Sequence, residues 1–269
     1  MDSVPYEFIE RVLLLKPKNC IFKEEVLSRR ITGIWSQVAA KCEEAIKYHA
    51  LTIRLCKSGF ALYEEKSPML IDQLKNYSKY DQIYHITCSG LYSMYADDSS
   101  IPYSEADQVF RLLGSLSNRL HLTIDHHGYE TNEFLRSRLS SLQAFTLEVS
   151  YCNEHSEKLL MSVLTTPTLR SINLLRTWPA EVVRFVEDKF INRELSQVTL
   201  RIDFGTVTGK VSNDFFERLF AKLNEKAEEP IGEMELSGDF DLDYLRSAEL
   251  VERLRKDYKM WLDVKERYL

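Results

Sequence analysis

The stretch from Leu142 to Ile202 states one structural phrase twice and begins it a third time, which narrows the fold more than any other feature. Ala144-Phe145-Thr146-Leu147-Glu148-Val149 alternates like a strand and leads through a turn into the amphipathic segment His155 to Leu164. Leu169 to Leu175 repeats the strand, Trp178-Pro179 marks a loop, and Glu181 to Phe190 repeats the helix. Ser196 to Ile202 is a third strand. The centres Leu147, Ile172 and Thr199 step by roughly 25 to 27 residues, the range of strand-plus-helix repeats of leucine-rich type.

Strand-like centres also fall at Ile53, Ile86 and Leu122 before this stretch and near Glu235 after it, each separated by helical material. That order predicts parallel strands joined by helices. The helical material includes Met69-Leu70-Ile71 with Leu74, and a segment opening at Ser104 whose buried stripe is Val109, Phe110, Leu112, Leu113 and Leu116. It also includes Thr131 to Leu139 and Asn213 to Lys226. A tyrosine-rich segment lies between the first two strands, and Asp97 to Pro102 reads as an exposed loop. Tyr244 to Leu269 carries Leu250, Leu254, Tyr258, Trp261 and Leu262 among charges without Gly or Pro, which predicts a terminal capping helix. No Asn fixes a tight turn in each unit, so the array is irregular. The expected class is α/β: a helical segment over 1–48, a leucine-rich-repeat-like array over 49–243 and a capping helix over 244–269.

The amino-terminal segment begins Val4-Pro5, with a proline suited to a first helical turn, and then sets Phe8, Ile9, Val12 and Leu13 at helical spacing on one face. Lys16-Pro17-Lys18-Asn19 interrupts it, and a second apolar pattern runs through Val26, Leu27, Ile31, Ile34, Trp35 and Val38. This opening resembles the F-box, and Met1 to Ile9 is similar to the start of the divergent F-box-like families of nematodes. The resemblance implies that Pro5, Phe8, Ile9, Val12 and Leu13 bind a Skp-type adaptor protein. It also implies that the array presents a target protein for ubiquitination. The residues alone leave a second reading open, in which the same helices only cap the first repeat of a protein-interaction scaffold.

Other classes find less support. The formal net charge of -6 supplies no basic surplus for nucleic acid. No apolar run is long enough to span a membrane, and Asp2, Glu7 and Glu10 replace the basic start of a signal peptide. Five widely spaced cysteines, Cys20, Cys42, Cys56, Cys88 and Cys152, form no CxxC pair and read as reduced thiols of a cytoplasmic or nuclear protein. No phosphate-binding or nucleophile motif occurs, so neither enzyme activity nor a cofactor is expected. Gly205-Thr206-Val207-Thr208-Gly209-Lys210 is too short for a P-loop, and Asp239 to Asp243 lacks the glycine of an EF-hand. His121, Asp125, His126 and His127 carry metal-ligand chemistry without the helical spacing of a metal motif, and no metal is expected. Tyr77, Tyr80, Tyr84, Tyr92, Tyr95 and Tyr103 form either a binding region or packing between repeats.

Overall fold

The computed structural model describes residues 4–14, 32–55, 59–90, 100–125, 137–139, 141–192, 194–201, 214–225, 234–237 and 260–263. The class is α/β, with mixed and mostly parallel strand pairing. The chain divides into two compact units, Met1–Thr123 with Asn132–Gln143, and Ile124–Thr131 with Ala144–Leu269.

The first unit opens with α1 (Tyr6–Leu14) and α2 (Ile34–Ala45). The Pro5 carbonyl accepts from the N–H groups of Phe8 and Ile9 at 3.1 and 3.2 Å, so Pro5 precedes the first turn rather than lying in it. Gly33, with φ of 67°, opens α2 from the left-handed region that suits glycine. One residue, Ile46, separates α2 from β1 (Lys47–Leu55). Then come β2 (Gly59–Glu64), β3 (Ser67–Met69), the short α3 (Ile71–Lys75), β4 (Asp81–Gly90) and β5 (Ile101–Pro102). A single 3-10 turn, Tyr103–Glu105, leads into α4 (Ala106–Leu116) and β6 (Ser117–Asp125).

Strand order in this unit is β6-β4-β1-β2-β3, with β5 also on β2. β1 runs parallel to β4 and antiparallel to β2, so Ile53 lies between Cys88 and Leu62. A register shift between His49 and Ala50 makes Tyr84 an extra residue in β4. Ile83 and Ile86 therefore both reach the core although they stand three apart in a strand. Leu51, Ile53, Leu62, Leu120 and Leu122 join them, covered by Val109, Phe110 and Leu113 of α4.

The hairpin of β2 and β3 is a departure from uniformly parallel strands. Gly59 to Tyr63 is buried on both faces and shows no alternation, and the turn at Glu65 and Lys66 lacks the Asn-Gly signal of a two-residue loop. Glu65 nevertheless takes the required positive φ, 55°. The loop expected over Asp97 to Pro102 is corrected at its end, because Ile101 and Pro102 pair with Phe60 and Gly59 and Ile101 is buried. Residues 97–99 lie outside the described residues, as do 131–136 of the helix expected from Thr131.

In the second unit, β7 (Thr146–Ser150), β8 (Ser171–Leu175), β9 (Gln197–Arg201), β10 (Met234–Ser237) and β11 (Met260–Asp263) are neighbours in chain order. Every one of these pairings is parallel. Leu147 faces Ile172, which faces Val198. Helices α5 (Glu154–Leu164), α6 (Ala180–Ile191) and α7 (Phe215–Glu225) occupy the first three crossovers. Alternation buries Leu147, Val149, Ile172 and Leu174 together with Leu159, Leu160, Val163, Val186 and Phe190 from the helices. One unbroken terminal helix over Tyr244 to Leu269 is corrected by β11. Met260-Trp261-Leu262-Asp263 is a short apolar run whose period fits strand as well as helix, and pairing with β10 decides it.

The β2–β5 contact requires glycine, since a Cβ at Gly59 would stand 2.1 Å from the Ile101 carbonyl oxygen. Gly59→Ala should lower stability by about 2 kcal/mol or more, read as a shift of the urea midpoint. An unchanged midpoint would refute this pairing.

Candidate functional site

The apolar positions of α1 divide between two faces. Ile9 is fully buried and Leu13 nearly so, packed with Val38, Ala39 and Cys42 of α2 and with Val4, Ile34, Trp35 and Ile46 around them. Phe8 is 54% exposed, and Tyr6 and Val12 are exposed beside it, as is Pro5. The expectation of a single adaptor face is thereby corrected. Neighbours in sequence lie about 100° apart on a helix, so the pairs Phe8-Ile9 and Val12-Leu13 each send one side chain inward and one outward. Ile9 and Leu13 are core residues; Pro5, Phe8 and Val12 remain available at the surface.

Polar contacts fix α1 against the strands and against the turn before β4. Glu10 is buried, and its carboxylate accepts from Lys79 Nζ at 2.6 Å and from the Tyr80 hydroxyl. Lys79 first, then Tyr80, holds the Glu10 carboxyl below its ordinary value. The Leu14 carbonyl, left without an intrahelical donor at the helix end, accepts from Gln82 Nε2 at 2.9 Å and Asn118 Nδ2 at 2.8 Å.

A second cluster joins the ends of β1, β2 and β4. His49 Nδ1 lies 2.5 Å from Glu64 Oε1, and Nε2 lies 2.9 Å from Asp81 Oδ1. Tyr77 stacks on the ring with centroids 4.4 Å apart, and its hydroxyl donates to Glu64 Oε2 at 3.2 Å. Asp81 accepts in addition from the Ser78 N–H at 2.8 Å and the Ser78 hydroxyl at 2.7 Å. Burial pushes the Asp81 carboxyl up, but Ser78 and the His49 ring outweigh it and keep it below the usual value. Burial, and then the Glu64 charge, pushes the Tyr77 phenol well up. With both ring nitrogens engaged by carboxylates, His49 acts as a clamp among three strands. Sequence reasoning missed it, because its partners stand 15 and 32 residues away and no local motif joins them.

The tyrosines among the described residues have separate partners. Tyr77 serves His49, Tyr80 serves Glu10, Tyr84 meets Tyr48 edge to face at 6.3 Å, and Tyr103 lies 6.4 Å from Phe60. These contacts fit packing; Tyr92 and Tyr95 lie outside the described residues. His121 stacks on His85 at 4.8 Å, and His85 Nε2 lies 3.0 Å from Thr123 Oγ1. His126 and His127 lie outside the described residues, as do 205–210 and 239–243. Among the described residues no group of three His, Cys, Asp or Glu could hold a metal ion. Cys42 and Cys88 are buried free thiols, and Cys152 is half-buried. No described helix is long and apolar enough to cross a membrane.

No family model, curated protein or solved structure matches the chain.

Asp81 and Glu10 give the protein a defined acid response. Both carboxyls sit below their unfolded values, so their stabilisation is complete above about pH 5 and is lost as pH falls through the folded values. Ser78→Ala removes one donor to Asp81 and should cost about 1.5 kcal/mol at pH 7. That deficit should shrink on acidification, because protonation of Asp81 takes the charge from its bond with the Ser78 hydroxyl, while the Tyr80 N–H bond to the same hydroxyl is independent of pH. Urea midpoints that differ by the same amount from pH 7 to pH 3 would contradict this assignment.

Proposed function

We propose that the protein is a non-enzymatic adaptor in which α1 docks on a Skp-type adaptor protein and the strand-and-helix array selects a target protein for a cullin-type ubiquitin ligase. The observation that carries the reading is the outward apolar face of α1, where Pro5, Phe8 and Val12 stand exposed at positions that the F-box resemblance assigns to the adaptor contact. Desolvating an exposed phenylalanine and valine is favourable and non-directional, as a helix-in-groove interface requires. The leucine-rich-repeat-like reading of the array is supported by its parallel ladder in chain order. On the face opposite Leu147 and Ile172, Glu148 and Asn173 are hydrogen-bonded at 2.5 Å and form part of a polar surface suited to protein recognition. Such an adaptor would work in the cytoplasm or nucleus.

A second reading is favoured by the inward half of the same helix. Ile9, Leu13, Glu10 and the Leu14 carbonyl are all engaged within the first unit, as they would be if the helices only capped the array of an interaction scaffold.

Phe8→Asp combined with Val12→Asp separates the two. On the adaptor reading, the double variant melts like the wild type and captures a purified Skp-type adaptor at least about 30-fold more weakly, the value of one anchor near 2 kcal/mol. Ile9→Asp should instead collapse the fold, since it buries an unpaired carboxylate. Wild-type protein that captures no adaptor would remove the adaptor reading and leave the cap.

A further inference from the structure

The α1–α2 pair has an apolar cluster of its own. Ile9, Leu13, Val38, Ala39 and Cys42 form it, with Val4, Ile34, Trp35 and Ile46 packed against it, and among the described residues no strand residue belongs to it. The contacts described above from α1 to the turn before β4 and to the strands are of a different kind, because they are polar and converge on two acceptors. Gln82 of β4 and Asn118 of β6 reach the Leu14 carbonyl, a neutral exchange that water can replace at small cost. Lys79 and Tyr80 reach the Glu10 carboxylate, which is charged and inward: its side chain is 7% exposed, whereas that of Lys79 is 58% exposed. Charge-assisted bonds to a buried acceptor are about twice as strong as neutral ones, so among these contacts the hold on α1 is strongest at this one group.

We propose that the α1–α2 pair is a docked module that the turn leading into β4 holds through the Glu10 carboxylate, and that weakening this latch lets the pair open as one body while the strands stay formed. Ile46, the single residue between α2 and β1, is the hinge. Opening breaks the contacts to Lys79, Tyr80, Gln82 and Asn118 together and leaves the pairing of β1 with β2 and β4 untouched. The latch would operate whether or not α1 binds an adaptor, so its test makes no use of binding.

Native-state hydrogen exchange on the full chain tests it, comparing wild type with Glu10→Gln and, as an independent removal of a donor from the opposing turn, Tyr80→Phe. In both variants the amides of 6–14 and 34–45 should exchange at least about tenfold faster and by a common factor, with 47–55 and 81–90 unchanged. Acceleration of the strands by the same factor would mean a single cooperative unit and would overturn the proposal. Acceleration of α1 without α2 would reduce the effect to fraying of one helix, and no acceleration would leave Glu10 without a latching role; either result also overturns it. Because the strands should survive, failure of both variants to fold counts against it as well.

Discussion

The two-sided pairing of β1 is the constraint on which the first unit depends. With β4 parallel on one side and β2 antiparallel on the other, the register of β4 is set against all nine residues of the strand and that of β2 against Leu51 to Leu55. A slip of one residue would bring Thr52 and Arg54 into the layer now filled by Leu51 and Ile53, so burial opposes the slip on both edges at once. The same pairing brings Glu64 from one neighbour and Asp81 from the other within reach of His49. Polar cluster and apolar core are thus two results of one register. The extra residue Tyr84 shows how it is reconciled with sequence, since the bulge turns Ile83 and Ile86 to a common side.

In the second unit the corresponding constraint is repetition, where each strand needs only the strand before and after it. Neighbouring helices are joined in the same local way. Arg218 of α7 pairs with Glu187 and Asp188 of α6 and, one turn back, with Asp214, while the rings of Phe190 and Phe215 lie 6.3 Å apart beneath them. Glu187 is buried, and the guanidinium beside it supplies the charge that makes this burial tolerable. Local joints of this kind let the spacing between strands vary, from the short crossover between β8 and β9 to the longer one between β9 and β10, without loss of the parallel order.

What could be read in the sequence follows from the range over which each signal acts. Strand centres such as Leu147, Ile172 and Leu122, and helices such as Ala180–Ile191, announce themselves by periodicity within a dozen residues, and they lie where that periodicity puts them. The β2–β3 hairpin was illegible because a strand buried on both faces has no alternation, and its turn relies on Glu65 in a conformation usually left to Asn or Gly. β11 was illegible for the opposite reason, for the apolar spacing around Trp261 satisfies two periods and only the edge of β10 selects one. The His49 cluster and the hold on Glu10 left no trace at all. Their partners are distant in the chain, and His, Glu and Tyr at such positions look like any solvated residues until the strands are paired.

The division of α1 into two apolar faces follows from the same limit of sequence reading. Phe8, Ile9, Val12 and Leu13 look like one stripe because the spacings of three and four connect them all, yet the stripe spans roughly 140° of the helix surface, more than the α2 contact covers. α2 takes the Ile9–Leu13 half, and Glu10 beside it satisfies its charge on Lys79 and Tyr80. The Phe8–Val12 half is therefore surplus to the internal packing of the described residues. A helix that served only as a cap could carry polar residues there at no cost to its own core, because the buried half already supplies the contact with α2. An apolar surplus exposed beside a completed core is the pattern that a second, intermolecular partner would explain.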